Sequence, residues 1–268
     1  MYDFQYHRPN DLAMALDILA ADPEAQALAG GMTLIPTLKQ RLANPSALVD
    51  LGAIAALTGI EERPDGQLAI GALTPHAAVA SSEPVRRSIP ALAGLAGQIG
   101  DPQVRNRGTL GGSIANNDPA ADYPAALLGL GASVETDRRT IAADDFFTDM
   151  FETALEPGEL ITAVAFPPPA RAAYAKFPNP ASRYAVVGVF VSEGPAGTRV
   201  AVTGAAPAVF RYSEMEVALR GDFSPGALAG IALPAEGLND DMHASADYRA
   251  HLVGVMARRA VAAALQRS

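Results

Sequence analysis

Two glycine pairs, Gly30-Gly31 and Gly111-Gly112, are the segments of this 268-residue chain whose residue types point to chemistry. Each has a hydroxyl residue close by, Thr33 for the first, Thr109 and Ser113 for the second, and each follows what reads as a strand. Glycine reaches positive φ without strain and puts no side chain between main chain and ligand, so such a segment can turn several N–H groups towards one anion. A helix predicted to start near Leu34 adds the positive end of its dipole at the first loop. Together the pairs suit a pyrophosphate. Each alone also reads as an ordinary glycine turn.

Around them stand candidates with two readings each. Asp118 and Asp122 follow the second pair and could accept hydroxyl protons from a ribose or a ribityl chain; Asp118, before Pro119, reads more simply as a turn or helix cap. Arg105 and Arg107 either offset phosphate charge or are solvated. Tyr184 opens a predicted strand and is either core packing or a ligand contact. The four histidines, His7, His76, His243 and His251, lack metal-ligand spacing and read as surface or capping residues. Gly94, Gly97 and Gly100 read as close helix packing. No Gly-x-Gly-x-x-Gly, no phosphate-binding Gly-x4-Gly-Lys-Ser/Thr and no Gly-x-Ser-x-Gly elbow occurs, so Rossmann, P-loop and serine hydrolase chemistry lack support.

Composition narrows the classes further. With 49% apolar and 18% charged residues the chain is an ordered globular protein. It has no Cys, which removes a disulfide framework, a thiolate nucleophile and any iron–sulfur cluster ligated by this chain itself. A net charge of -9 with scattered Lys and Arg argues against nucleic acid. The opening Met1-Tyr2-Asp3-Phe4-Gln5-Tyr6-His7 lacks the basic flank and apolar run of a signal peptide, and no stretch approaches the roughly 18 apolar residues of a membrane span. The expectation is a soluble, cytoplasmic protein.

The elements that must position these residues follow from periodicity. A strand at 4–6, a helix over 10–21, a strand at 25–28 and a helix over 34–42 with Pro36 in its first turn come first. A hairpin between 57 and 73 turns at Arg63-Pro64-Asp65-Gly66, and helices are predicted over 75–81 and 84–99. Residues 101–122 show little periodicity and read as an ordered loop system. A helical turn or two at 124–129 and strands at 132–136, 139–142 and 160–166 follow. Pro167-Pro168-Pro169 can neither feed a ladder nor continue a helix and marks a domain boundary. Beyond it, strands at 172–177, 184–192 and 199–203 and helices at 212–219 and 247–265 make a smaller second unit.

The segments Ala29-Gly30-Gly31-Met32-Thr33-Leu34-Ile35-Pro36 and Gly108-Thr109-Leu110-Gly111-Gly112-Ser113-Ile114-Ala115-Asn116-Asn117-Asp118-Pro119-Ala120-Ala121-Asp122 resemble the two FAD-binding signatures of the medium, flavin-carrying subunit of molybdenum hydroxylases. That family includes carbon monoxide dehydrogenase medium chains and the flavin domain of xanthine dehydrogenase. The resemblance also takes in Phe4 to Pro9, Asp101 to Arg107 and the final helix. Departures are Asp101 where a His is common, Asn116-Asn117, and the stretch 178–181 in place of a basic one.

The resemblance implies an α+β chain with a two-subdomain FAD-binding fold of the vanillyl-alcohol oxidase type. Its FAD-binding domain would be 1–169, with subdomains at about 1–56 and 57–169, and 170–268 would be a C-terminal domain with a three-stranded antiparallel sheet and helices. Ala29 to Pro36 (Ala29, Gly30, Gly31, Met32, Thr33, Leu34, Ile35, Pro36) and Thr109, Leu110, Gly111, Gly112 and Ser113 would wrap pyrophosphate and ribityl chain, and Asp122, Ile99, Ile161, Lys176 and Tyr184 would touch the cofactor. FAD would be held noncovalently, since no His matches an attachment site. The implied role is electron transfer in a heterotrimer: a large molybdopterin subunit oxidises substrate, a small subunit with [2Fe-2S] clusters relays electrons, and this chain delivers them to NAD, a quinone or another acceptor, in a dimer of heterotrimers. A stand-alone flavin oxidase of the same broad fold, and an assembly subunit that has lost FAD, are the alternatives.

Overall fold

The computed structural model describes residues 1–266. The chain opens with strand β1 (Gln5–His7), helix α1 (Leu12–Ala21), β2 (Gln26–Leu28), α2 (Leu34–Lys39) and β3 (Ala47–Asp50). The Asp11 carboxylate caps α1 by accepting from Met14 N at 2.8 Å, and Ala15 and Leu19, four residues apart, are its buried face. The three strands form a parallel sheet in the order β1-β3-β2, with Leu48 and Val49 of the central strand buried. Helix α2 stops at Lys39, short of the expected end, and Arg41 turns left-handed at φ 59°.

Next come β4 (Ile60–Glu62), β5 (Leu68–Gly71), α3 (His76–Ser81), α4 (Glu83–Ser88), α5 (Pro90–Ala96), α6 (Pro102–Arg107), α7 (Leu110–Asn116), α8 (Tyr123–Leu130), β6 (Ser133–Thr136), β7 (Thr140–Ala142), α9 (Ala143–Phe146), a small hairpin β8 (Phe147–Asp149) and β9 (Glu152–Thr153), and β10 (Ile161–Phe166). The expected hairpin is present, closed at Gly66 with φ +82°. Its strands join an antiparallel sheet, β4-β5-β10-β6-β7, in which late strand β10 takes the centre.

Two sequence expectations fail here for local reasons. The helix predicted over 84–99 is two helices, because Pro90 forces Ile89 out of the α region, to φ −141° and ψ 67°. The stretch 101–122 is not loop throughout: it holds α6 and α7, capped by Asp101 onto Val104 N at 2.9 Å and by Thr109 onto Gly112 N at 3.2 Å. Gly111 and Gly112 therefore sit in the first turn of a helix and do not end a strand, despite a propensity cost of about 1 kcal/mol per glycine.

The C-terminal part carries β11 (Arg171–Pro178), β12 (Ala185–Gly194), β13 (Gly197–Thr203), β14 (Phe210–Arg211), α10 (Ser213–Gly221) and α11 (Ala246–Leu265). Its antiparallel sheet has four strands, not three: the two-residue β14 pairs with β13, too short for an alternating pattern to reveal. Helix α11 lays Val253, Met256, Ala257, Ala260, Val261 and Ala264 against β11 and β12. Helix α8 packs against β12 and β13 on one side and α5 and α7 on the other, so all eight of its residues are buried.

The loop before α8 is stitched to this C-terminal sheet through its main-chain carbonyls. Gly204 N donates to Pro119 O at 2.8 Å, Ala185 N to Ala120 O at 3.2 Å, and the Thr203 hydroxyl to Ala121 O at 2.7 Å.

Candidate cofactor-binding site

A cavity of about 680 Å³ opens where the parallel sheet, the start of α7 and the loop before β12 meet. That is in the upper half of the range for small-molecule and cofactor pockets. Of the residues predicted for the site, Ala29 to Leu34, Ile99, Thr109, Gly111, Gly112, Ser113, Asp122, Ile161 and Tyr184 line it. Ile35, Pro36, Leu110 and Lys176 do not. Ile35 lies beneath Gly31, Pro36 is exposed on α2, and Leu110 is buried in the core.

The two glycine segments touch each other. A Cβ at Gly30 would stand 2.0 Å from Arg107 O and 2.9 Å from Gly108 Cα, and one at Gly112 would stand 3.4 Å from Ala29 Cβ. Gly31 takes φ +73°, turning the chain into α2. The second pair works otherwise than its sequence suggests, because its amides point back into the protein. Leu110 N donates to Thr74 O at 3.1 Å, Gly111 N to Ala72 O at 2.8 Å, Gly112 N to the Thr109 hydroxyl oxygen and Ser113 N to Thr109 O. What this segment offers the cavity is close approach of main chain and the hydroxyls of Thr109 and Ser113. Gly111 has its own reason for being glycine: a Cβ there would meet Ala72 O at 2.8 Å.

Asp122 is 4% exposed, and its carboxylate accepts from the Tyr174 hydroxyl at 2.5 Å and from Lys176 Nζ at 3.0 Å. Burial pushes this carboxyl above the usual range, and the Lys176 ammonium opposes the shift. Two donors leave lone pairs for a hydroxyl of a ligand. Asp118 accepts from Ala120 N at 2.9 Å, the turn-capping role its place before Pro119 suggests, and burial raises its pKa. Arg105 spends its guanidinium on Ile99 O and Gly100 O, each at 2.9 Å, and so holds a wall of the cavity.

Residues 2–169 match the model of the family described as FAD binding domain in molybdopterin dehydrogenase. The chain belongs to this family. It is 36% identical to the nicotine 6-hydroxylase medium subunit of Paenarthrobacter nicotinovorans over 96% of this chain and 95% of that one. It is 37% identical to the carbon monoxide dehydrogenase medium chain of Afipia carboxidovorans, covering 99% and 98%. Its fold superposes on a chain of reconstituted CO dehydrogenase from Oligotropha carboxidovorans with a TM-score of 0.91 at 35% identity, covering 100% and 99%. This is a medium, FAD-binding subunit of the molybdenum hydroxylase type.

The cavity fits FAD on its own chemistry. Main chain free of Cβ atoms and three hydroxyls suit the diphosphate, a buried carboxylate suits polyol hydroxyls, and Leu28, Ile99, Leu155, Leu160 and Ile161 provide apolar wall for rings. Among the described residues no group of His, Cys, Asp and Glu could hold a metal, and no helix is long and apolar enough to cross a membrane.

Two wall residues escaped sequence reasoning. Glu159, 6% exposed, is gripped by Arg139 at 2.9 Å and by Glu156 N at 2.8 Å, which holds its carboxyl down at about 2. His76, expected to be a surface or capping residue, is neither: it is 4% exposed in the first turn of α3, with Nδ1 unpartnered and its ring 5.3 Å from that of Tyr123. Burial, with Arg105 adding repulsion, lowers its pKa from 6.5 to about 4, so the imidazole is neutral near neutral pH. A depressed histidine pKa means the unfolded chain binds the extra proton first; its contribution is present above about pH 6.5 and is lost as pH falls towards 4. Between about pH 6.5 and pH 5 the loss should be about 2 kcal/mol, and His76→Leu should remove it from urea-unfolding curves. An unchanged pH slope in that variant would assign the acid lability elsewhere.

Proposed function

We propose that this chain takes electrons from the [2Fe-2S] clusters of a small subunit and passes them to NAD, a quinone or another acceptor, while a large subunit with molybdopterin oxidises the substrate, the whole a dimer of heterotrimers. With no Cys, it has no thiolate for clusters of its own, which supports that division of labour. FAD, held noncovalently, supplies the exchange between single electrons and pairs. In this reading residues 1–169, in two subdomains divided near 56, hold FAD, and 170–268 close over it.

The residues of the chain bind, orient and enclose. Ala29 to Thr33 and the hydroxyls of Thr109 and Ser113 hold the diphosphate, Asp122 accepts from the ribityl chain, Ile99 and Ile161 flank rings, and Tyr184 lies at the mouth. Ile35, Pro36 and Leu110 shape the segments from behind. The observation that carries the reading is the direct contact of two glycine segments at one cavity.

Gly111 and Gly112 separate binding from folding. Gly112→Val puts its Cβ 2.8 Å from the Thr109 hydroxyl oxygen, a side-chain end that can turn aside, and 3.4 Å from Ala29 Cβ at the wall; the expected protein folds but retains at least tenfold less FAD, about 1.4 kcal/mol of binding. Gly111→Val drives into the Ala72 main chain, and the expected result is loss of stability. A Gly112→Val protein with a full complement of FAD would sink the cavity as the site. The relay is tested by mixing the FAD-loaded chain anaerobically with a reduced iron–sulfur subunit. Bleaching of the flavin's visible absorbance is expected, and no bleaching in a formed complex would overturn it.

A further inference from the structure

We propose that Lys176 is a positioning residue that sets Tyr184 against the bound flavin through the carbonyl of Arg183, an inference resting on the cavity being the FAD site. Lys176 lies on β11, paired with Gly188 of β12, and Tyr174 two residues earlier shares its face. Its side chain is 2% exposed. An ammonium has three protons to donate. Here they meet three oxygens at 3.0 Å each: Asp122 Oδ2 before α8, Gln98 O after α5, and Arg183 O in the loop ahead of β12. One buried cation thus ties together three separate stretches of chain.

Two of the three, Asp122 and Arg183, line the cavity directly. Gln98 precedes Ile99, a wall residue, and Arg183 precedes Tyr184, which is the one phenol or phenyl ring among the described lining residues. The Arg183 carbonyl belongs to the peptide plane that carries Tyr184 N. Because that plane is rigid, gripping its oxygen fixes where the Tyr184 side chain departs. Arg183 is also left-handed, φ +64°, a conformation a non-glycine residue keeps only where its surroundings impose it. Those surroundings are visible. Arg183 N donates to Asn179 O at 2.9 Å, its guanidinium to Gly100 O at 3.2 Å, and its carbonyl accepts from Lys176. Gly188 makes room for the arrangement: a Cβ there would lie 2.2 Å from the Tyr174 hydroxyl that shares Asp122 with Lys176.

A tyrosine ring close to a flavin quenches its emission, so the test is flavin fluorescence of the full-length, FAD-loaded chain. Lys176→Met keeps the length of the stem and removes the donors. The expected variant binds FAD, emits several-fold more strongly than wild type, and matches Tyr184→Leu. In the double variant the two changes are not additive, since both act through one ring. If Lys176→Met is too unstable to purify, Lys176→Gln, whose amide keeps two donors, is expected to raise emission in the same direction by less, with Lys176→Arg nearer wild type. Emission unchanged in the Lys176 variants, or raised equally in a Tyr184→Leu background, overturns the proposal. If the wild-type chain takes up FAD and Tyr184→Leu leaves emission unchanged, Tyr184 does not face the flavin and the proposal fails while the FAD site stands; no FAD uptake at all overturns both.

Discussion

Gly30→Ala is expected to strip the chain of FAD and to lower its melting temperature at the same time. The added carbon would stand 2.0 Å from Arg107 O, 2.7 Å from Arg107 C and 2.9 Å from Gly108 Cα, all main-chain atoms that no rotamer change can move aside. Gly108 cannot retreat freely, since its own Cβ position is 2.6 Å from His76 Nε2. One of the two segments has to withdraw, and that withdrawal opens the cavity at the contact between them. Overpacking of this kind costs about 1–3 kcal/mol, and more where backbone must shift. With a fall of roughly 2–4 °C per kcal/mol for a chain of this order of size, melting should drop by roughly 5–10 °C. Calorimetry on the flavin-free protein and the FAD-to-protein ratio of the purified variant measure the two effects separately. A variant with wild-type melting and full flavin would mean that the segments stand further apart than described.

Asp122→Ala should cost still more, about 3–5 kcal/mol, because it removes the counter-charge from a buried ammonium. Lys176 would keep two carbonyls and no anion, and the Tyr174 hydroxyl would lose its acceptor. Adding Lys176→Met to Asp122→Ala should recover much of the loss, since a buried pair is often replaceable by apolar groups although a lone buried ammonium is costly. Urea unfolding of the four proteins in a double-mutant cycle gives the coupling. A single-variant loss below about 1 kcal/mol, or a double variant no better than Asp122→Ala, would show that the charge is compensated by something else.

The first glycine segment was readable because each step carries its own local signal. A short strand, a glycine needing positive φ and a proline in the first turn of α2 follow one another without a gap. The second was not, because its helix has only Leu110 and Ile114 as a buried pair and two residues that disfavour helix in its first turn. Its register comes from Ala72 and Thr74, nearly 40 residues away, whose carbonyls take the amides. Pro90 did carry the break between α4 and α5, outweighed by the run of small and apolar residues that follows it. At the site, glycines and hydroxyls announce themselves by type. The roles of Tyr174, Lys176, His76 and Glu159 depend on which side chains face one another across strands distant in sequence, and no spacing within one segment encodes that.

Residues 119–121 belong to the first part of the chain by sequence, yet their carbonyls are accepting groups for the C-terminal sheet. The seam is therefore written partly in the backbone, where substitution cannot edit it. Anyone building chimeras by exchanging C-terminal halves between relatives would have to transplant this tripeptide's conformation along with the incoming strands, or leave amides of the new sheet without mates. Modular as the halves look on paper, the junction makes either one transferable only together with its half of the seam.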